Sequence, residues 1–194
     1  MKKVFLTILN ICLIVFIVNA QDVVKKANNF IDLLSEEQKT GTLFPFDNDE
    51  RYNFHFVPFV RKGITFNEMN AQQTEAGLAL LRACLSETAY KKATDIVAME
   101  VVLKEIENRK PEDNYRDPGN YHFSIFGIPS SKTIWGWRFE GHHISYNFSF
   151  DKKMIVSGTP GFMGSNPAVV LTGSKKGKEI LKEETEEGFQ VLNS

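Results

Sequence analysis

The sequence predicts an α+β fold, with an antiparallel meander over about residues 121–157 packed against a helical layer over about 22–40 and 70–108. Upstream of residue 110 the apolar residues recur every three or four positions, the period of a helix. From Tyr121 onward they alternate with polar residues at the two-residue period of a strand. Within that second region the parity of the alternation flips between Phe139 and Ile144, which marks a hairpin.

The chain opens on "MKK", continues through an apolar stretch from Val4 to Val18, and reaches "VNA" before "QD". This is the pattern of a secretory signal peptide over residues 1–20, cleaved after Ala20, so a secreted or periplasmic protein is expected. Lipid attachment at Cys12 is disfavoured by bulky Asn10 and Ile11 beside it. The apolar stretch is shorter than the ~18 residues that argue a spanning helix, and no membrane association is expected once it is removed. The remaining chain, 21–194, is read as one domain and carries 21 basic and 24 acidic residues, a formal charge of −3. No basic patch points to nucleic acid. Cys84 is then alone, so stability must come from the core and not from an internal disulfide.

The elements follow in order. Val23, Val24, Ala27, Phe30, Ile31 and Leu34 form a helical stripe; Ser35 with Gln38 is a capping box that restarts a short helix ended by Gly41. Tyr52, Phe54 and Phe56 alternate with Asn53, His55 and Val57 and read as a strand. Asn70 with Gln73 opens a helix carrying Leu78, Leu81 and Cys84. Ser86 opens the next, carrying Tyr90, Ala93, Val97 and Val101 and stopping before Pro111. "PEDNYRDPGN" reads as a connection, since its acids lack the order of a calcium loop. In "SGTPGFMGSNPAVV" the breakers Pro160, Gly161, Gly164 and Pro167 predict an ordered loop.

A two-residue turn at Glu140-Gly141 accounts for the parity flip and pairs Phe139 with His142, Arg138 with His143, Trp137 with Ile144 and Trp135 with Tyr146. Pairing His122 with Arg138 on the preceding strand then gives a polar row of His122, Arg138 and His143, with Glu140 at its lip. Such a row suits an acid–base or anion pocket: imidazole exchanges protons near neutrality, guanidinium clamps carboxylate or phosphate, and glutamate orients imidazole. This register puts His142 on the packed face as a structural residue and leaves His143 free for chemistry. Adjacent strand residues face opposite ways, so the two histidines are not by themselves a metal-ligand pair. The bland alternative is an amphipathic sheet whose polar face is solvated or satisfied by hydrogen bonds. The chain has no nucleophile elbow, phosphate loop or zinc helix motif.

"FPFDNDERYNFHFVP", "YRDPGNYHFSIFG", "WGWRFEGHHISYNFSF" and "TPGFMGSNPAVV" together resemble a family of mostly exported bacterial proteins filed as domain of unknown function 3500. The resemblance runs from about Ala27 to the C-terminus and implies no activity, but it implies positions for recurring polar residues: Asp47, Arg51, His55, Arg138, Glu140, Gly141, His142, His143 and Asn147. It also implies a chain shortened relative to longer members, this one ending within a helix at "EETEEGFQVLNS".

Two functions are therefore expected. One is an exported enzyme, acid–base or assisted by a divalent metal, with His143, Arg138, Glu140 and His122 as catalytic residues and His55, Arg51, His142 and Asn147 contacting the ligand. The other is a noncatalytic module that holds a small molecule, carbohydrate or protein on the same polar face or on an aromatic surface of Trp135 and Trp137.

Overall fold

The computed structural model describes residues 22–194, and the leader read at 1–20 lies outside the described residues. Helix α1 covers 22–33 and buries Val23, Ala27 and Phe30. Ser35 restarts the chain as α2 (Glu36–Thr42): its hydroxyl accepts the Gln38 N–H at 3.2 Å, and the Gln38 side chain accepts the Ser35 N–H at 2.9 Å. The helix passes through Gly41 instead of stopping there, because the Thr42 hydroxyl bonds back to the Gln38 carbonyl at 2.7 Å. Helices α3 (Ala71–Cys84) and α4 (Glu87–Ile106) start at the predicted caps, Asn70 with Gln73 and Ser86. An exposed helix, α5 (Lys182–Leu192), lies near the C-terminus. Among the described residues, no helix is long and apolar enough to cross a membrane.

Among the described residues the sheet has seven strands: β1 (Leu43–Phe44), β2 (Ile64–Thr65), β3 (His122–Phe126), β4 (Ile134–Gly141), β5 (Ile144–Asp151), β6 (Met154–Ser157) and β7 (Gly161–Met163). The path runs β1-β3-β4-β5-β6, with β2 also on β3 and β7 also on β5. The meander β3 to β6 is antiparallel as expected; β1 joins β3 in parallel and makes the whole sheet mixed. The fold is α+β.

Parity placed the faces correctly. Trp135, Trp137, Phe139, Ile144, Phe148 and Phe150 are all buried in the core shared with the helices. Phe30 of α1 meets Phe123 at 5.4 Å between ring centroids, and a Cβ on Gly77 of α3 would lie 3.2 Å from the Phe123 ring, so helix and sheet touch there through a missing side chain.

The register differs from the prediction. Gly141 pairs with Ile144, Phe139 with Tyr146, Trp137 with Phe148 and Trp135 with Phe150, so the turn is His142-His143 and not Glu140-Gly141. Each pairing moves by an even number of residues, which keeps every side chain that stays in the strands on its predicted face, while His142 and His143 leave the ladder for the turn. Tertiary packing selects this register. Gly141 sits against Tyr121, where a Cβ would come within 2.4 Å of the ring, so its glycine serves close approach and not a turn. His143 instead takes the left-handed conformation, at φ +62°.

Two other local readings change. Residues 52–57 are not a strand: a 3-10 turn at Asp49–Tyr52, capped by Asn48, leads into an irregular segment. Its carbonyls are satisfied largely by guanidinium groups and not by a strand ladder, with Arg138 Nη1 donating to Glu50 O at 2.8 Å and Asn53 O at 2.7 Å, and Arg61 Nη2 to Val57 O at 2.6 Å, while the His143 N–H reaches Phe56 O at 2.7 Å. The breaker-rich segment after Gly158 contains β7, which pairs with Ile144–Tyr146 of β5. Phe162 stacks there on Phe56 at 4.0 Å.

Candidate functional site

The polar face of β3–β5 is covered by the segment of residues 45–63 and holds a buried ion network. Arg138, 1% exposed, reaches Glu50 at 2.6 Å and Glu140 at 2.7 Å, and Arg61 reaches Glu140 at 3.3 Å from the other side. Burial pushes the Glu140 carboxyl up to about 7 against the pull of Arg138 and Arg61, and burial lowers Arg61 as well. Arg138 and Glu140, expected on an open polar row, are thus enclosed.

The row itself is rearranged. His122, Glu140 and Ser145 stand in one line, Ser124, Arg138 and Asn147 in the next, and His143 lies outside both, in the turn. Asn147 bonds the Pro160 carbonyl at 2.9 Å, near where the chain enters β7. Arg51 packs over Phe46 and Tyr52 and donates to the Phe46 carbonyl at 2.8 Å, while His55 stacks on Phe59 at 4.2 Å; both engage residues of their own segment. Trp135 and Trp137 are buried and offer no aromatic surface to a ligand.

A cleft of about 440 Å³ opens where the 45–63 segment, the 115–122 segment, α4 and the His142 turn meet. Its size is within the ~300–1,000 Å³ common for small-molecule sites. Glu100 of α4, only 3% exposed, meets His142 Nδ1 at 2.5 Å, and both side chains line the cleft. A carboxylate at Nδ1 assigns the proton to that nitrogen and leaves the lone pair on Nε2. Arg116 Nη1 lies 3.0 Å from Nδ1, 3.4 Å from Nε2 and 3.8 Å from Glu100 Oε2, with the rest of its guanidinium held by Glu107, 2.6 Å at the nearest. The turn backbone is also tied down: Tyr121 donates its hydroxyl to the His142 carbonyl at 2.7 Å, and Arg61 Nη2 donates to the Gly141 carbonyl at 3.0 Å.

His122 lines the same cleft with Nδ1 3.3 Å from the Gly63 carbonyl, and burial lowers its pKa and favours the neutral ring. His143 is driven down to about 4, by burial first and then by His142 and Arg116. Its Nδ1 is buried without a hydrogen-bond partner among the described residues. A left-handed backbone costs a non-glycine residue ~1–2 kcal/mol, and glycine gives back ~0.5–1 kcal/mol of that in chain entropy. His143→Gly should therefore raise stability by roughly 0.5–1 kcal/mol in urea denaturation. A loss would mean that the ring packing against His142, at 3.9 Å between centroids, outweighs the strain.

The Arg116 anchor is acid-sensitive. Hydrogen bonding from Arg116, helped by Arg109, holds the Glu107 carboxyl at about 2, below its ordinary 4.5. A depressed carboxyl stabilises the fold fully above pH 4.5 and loses that contribution as pH falls toward 2. Acid titration of stability should show this segment in the parent chain and not in Glu107→Gln; identical curves would detach Glu107 from the fold's acid response.

Sequence reasoning missed Glu100, Arg116, Tyr121 and Arg61. Glu100 had a signal: it falls on the buried stripe of α4 with Ala93, Ile96 and Leu103, where a carboxylate needs a partner. Arg116 had none, since it sits in a turn-rich connection. Among the described residues, no three His, Cys, Asp or Glu side chains converge as a metal-ligand set.

A family model for proteins of unknown function, DUF3500, matches residues 17–194. The chain belongs to the DUF3500 family. That match takes in α4, the 115–122 segment and the histidine turn, so every residue of the cleft lies within the family's own span. No curated protein and no solved structure matches the chain.

Proposed function

We propose that this member of the DUF3500 family is an exported enzyme that performs acid–base chemistry on a small molecule held in the cleft. His142 transfers the proton, Glu100 orients its ring and stabilises the imidazolium, and His122 supplies a second neutral imidazole on the same wall. The observation that carries this is the 2.5 Å contact from buried Glu100 to His142 Nδ1, which pairs a carboxylate with an imidazole at the edge of a cleft. The leader sequence supports export. The buried Arg138–Glu140 pair holds the 45–63 segment, and with it one wall of the cleft, without touching substrate.

The test is turnover of a panel of chromogenic esters, phosphate esters and glycosides by the full chain. For any compound turned over, His142→Ala should cut the rate by about 10²–10⁴, the range of a general acid–base group, and added imidazole should restore part of it. Activity retained in His142→Ala overturns the assignment. Absence of turnover across the panel favours a binding module instead, a reading supported by the exposed apolar side chains of Val57, Phe59 and Val60 beside the cleft.

A further inference from the structure

We infer that the molecule taken by this cleft is uncharged and rich in hydroxyl groups, of the sugar class, because the cleft wall offers hydrogen-bond acceptors and an aromatic ring but no free cation. This rests on the acid–base reading of the same site.

Among the described residues, the arginines beside the cleft are committed elsewhere. Arg61 donates Nη1 to the Phe59 carbonyl at 3.0 Å, Nη2 to the Val57 and Gly141 carbonyls, and pairs Nε with Glu140. Arg116 gives Nε and Nη2 to Glu107, and its Nη1 faces the Glu100 carboxylate at 3.8 Å beside the His142 ring. No lysine lines the cleft among the described residues. An anionic ligand would face the Glu100 and Asp117 carboxylates with no guanidinium fork to receive it.

What remains on the wall accepts hydrogen bonds. Asp117 takes the Gly119 N–H at 2.7 Å and the Asn67 amide at 2.9 Å, and each carboxylate oxygen keeps a further lone pair. His122 uses Nδ1 on Gly63, and its Nε2 has no partner among the described residues. A ligand that supplies several O–H donors satisfies these groups together.

Part of the cleft lining is aromatic. Phe59 is 52% exposed at the cleft and backed on one side by His55, which leaves a ring surface to solvent. The negative face of an aromatic ring attracts the weakly positive C–H face of a pyranose. Acceptors and an exposed ring within one cleft match the two chemical faces of a sugar.

Saturation-transfer NMR on the full chain, with glucose, N-acetylglucosamine and cellobiose against acetate, inorganic phosphate and ethanolamine at equal concentration, tests the inference. Transfer to a sugar is expected, weakened by about ten-fold in Phe59→Ala through loss of the stacked ring, and weakened also in Asp117→Asn, which keeps the shape of the side chain. Transfer only to ethanolamine, only to acetate or phosphate, or to none of them overturns it. So does sugar binding that both variants leave unchanged. Sugar binding without turnover leaves the ligand class standing and removes the acid–base reading, so the two failures are distinguishable.

Discussion

Replacing Arg138 with alanine should destabilise the fold by about 3–5 kcal/mol, a large part of the ~5–15 kcal/mol that holds a typical domain together. The reason is what the substitution strands. Glu50 loses a partner at 2.6 Å and Glu140 one at 2.7 Å, both carboxylates being nearly closed to solvent. The Asn53 carbonyl loses its donor and the Glu50 carbonyl one of its two, the Asn53 N–H remaining at 3.1 Å, and these bonds help to satisfy the 45–63 segment in place of a strand ladder. Arg61 alone remains on Glu140, at 3.3 Å. Adding Glu140→Gln to Arg138→Ala should recover part of the loss, because it removes one stranded charge. The contrast is Arg82, whose pair with Glu87 is just as short at 2.7 Å but has both side chains more than half exposed; Arg82→Ala should cost no more than ~1 kcal/mol. Urea denaturation of the variants measures both. An Arg138→Ala loss as small as that of Arg82→Ala would show that water reaches the network.

These two arginines mark how far a single sequence could be read. The helix caps at Ser35, Asn70 and Ser86 were legible because a cap is local, a polar side chain reaching a backbone N–H three residues on. The sheet faces were legible because side-chain direction depends only on parity. The turn was not, since two registers that differ by an even step bury the same residues. Glu140-Gly141 is the better turn pair by local preference, and only distant residues oppose it: Tyr121 claims the space beside Gly141, and Arg61 claims Glu140. The alternation from Tyr52 to Val57 failed for a similar reason, because alternation marks a strand only when a partner strand is present to bond it.

The candidate site was half legible. Histidines, arginine and glutamate of "WRFEGHH" were singled out by type, and His142 and His122 do meet at one cleft. Their roles depended on the register, and the shift exchanged them: His142 stands at the cleft, while His143 is the strained turn residue. The partner that gives His142 its chemistry comes from α4, 42 residues earlier in the chain, and spacing alone could not bring it there.

That partner carries the second large effect. Glu100→Gln should lower the rate on any compound the enzyme turns over by about 10²–10⁴, the full span of a general acid–base contribution, while leaving the fold intact. The substitution keeps size and shape, and Arg116 retains its contacts with Glu107, so no buried cation is abandoned. Two things are lost. The amide has no charge to stabilise the imidazolium formed when His142 accepts a proton. Its NH₂ end can also donate to Nδ1, which moves the ring proton to Nε2 and removes the lone pair from that nitrogen. If Glu100 acts only through His142, the Glu100→Gln/His142→Ala double variant should be no slower than the worse single variant, since members of one catalytic unit are not additive. Multiplying losses, with melting temperatures unchanged, would mean that the carboxylate touches substrate itself and that the cleft has a second acid–base group.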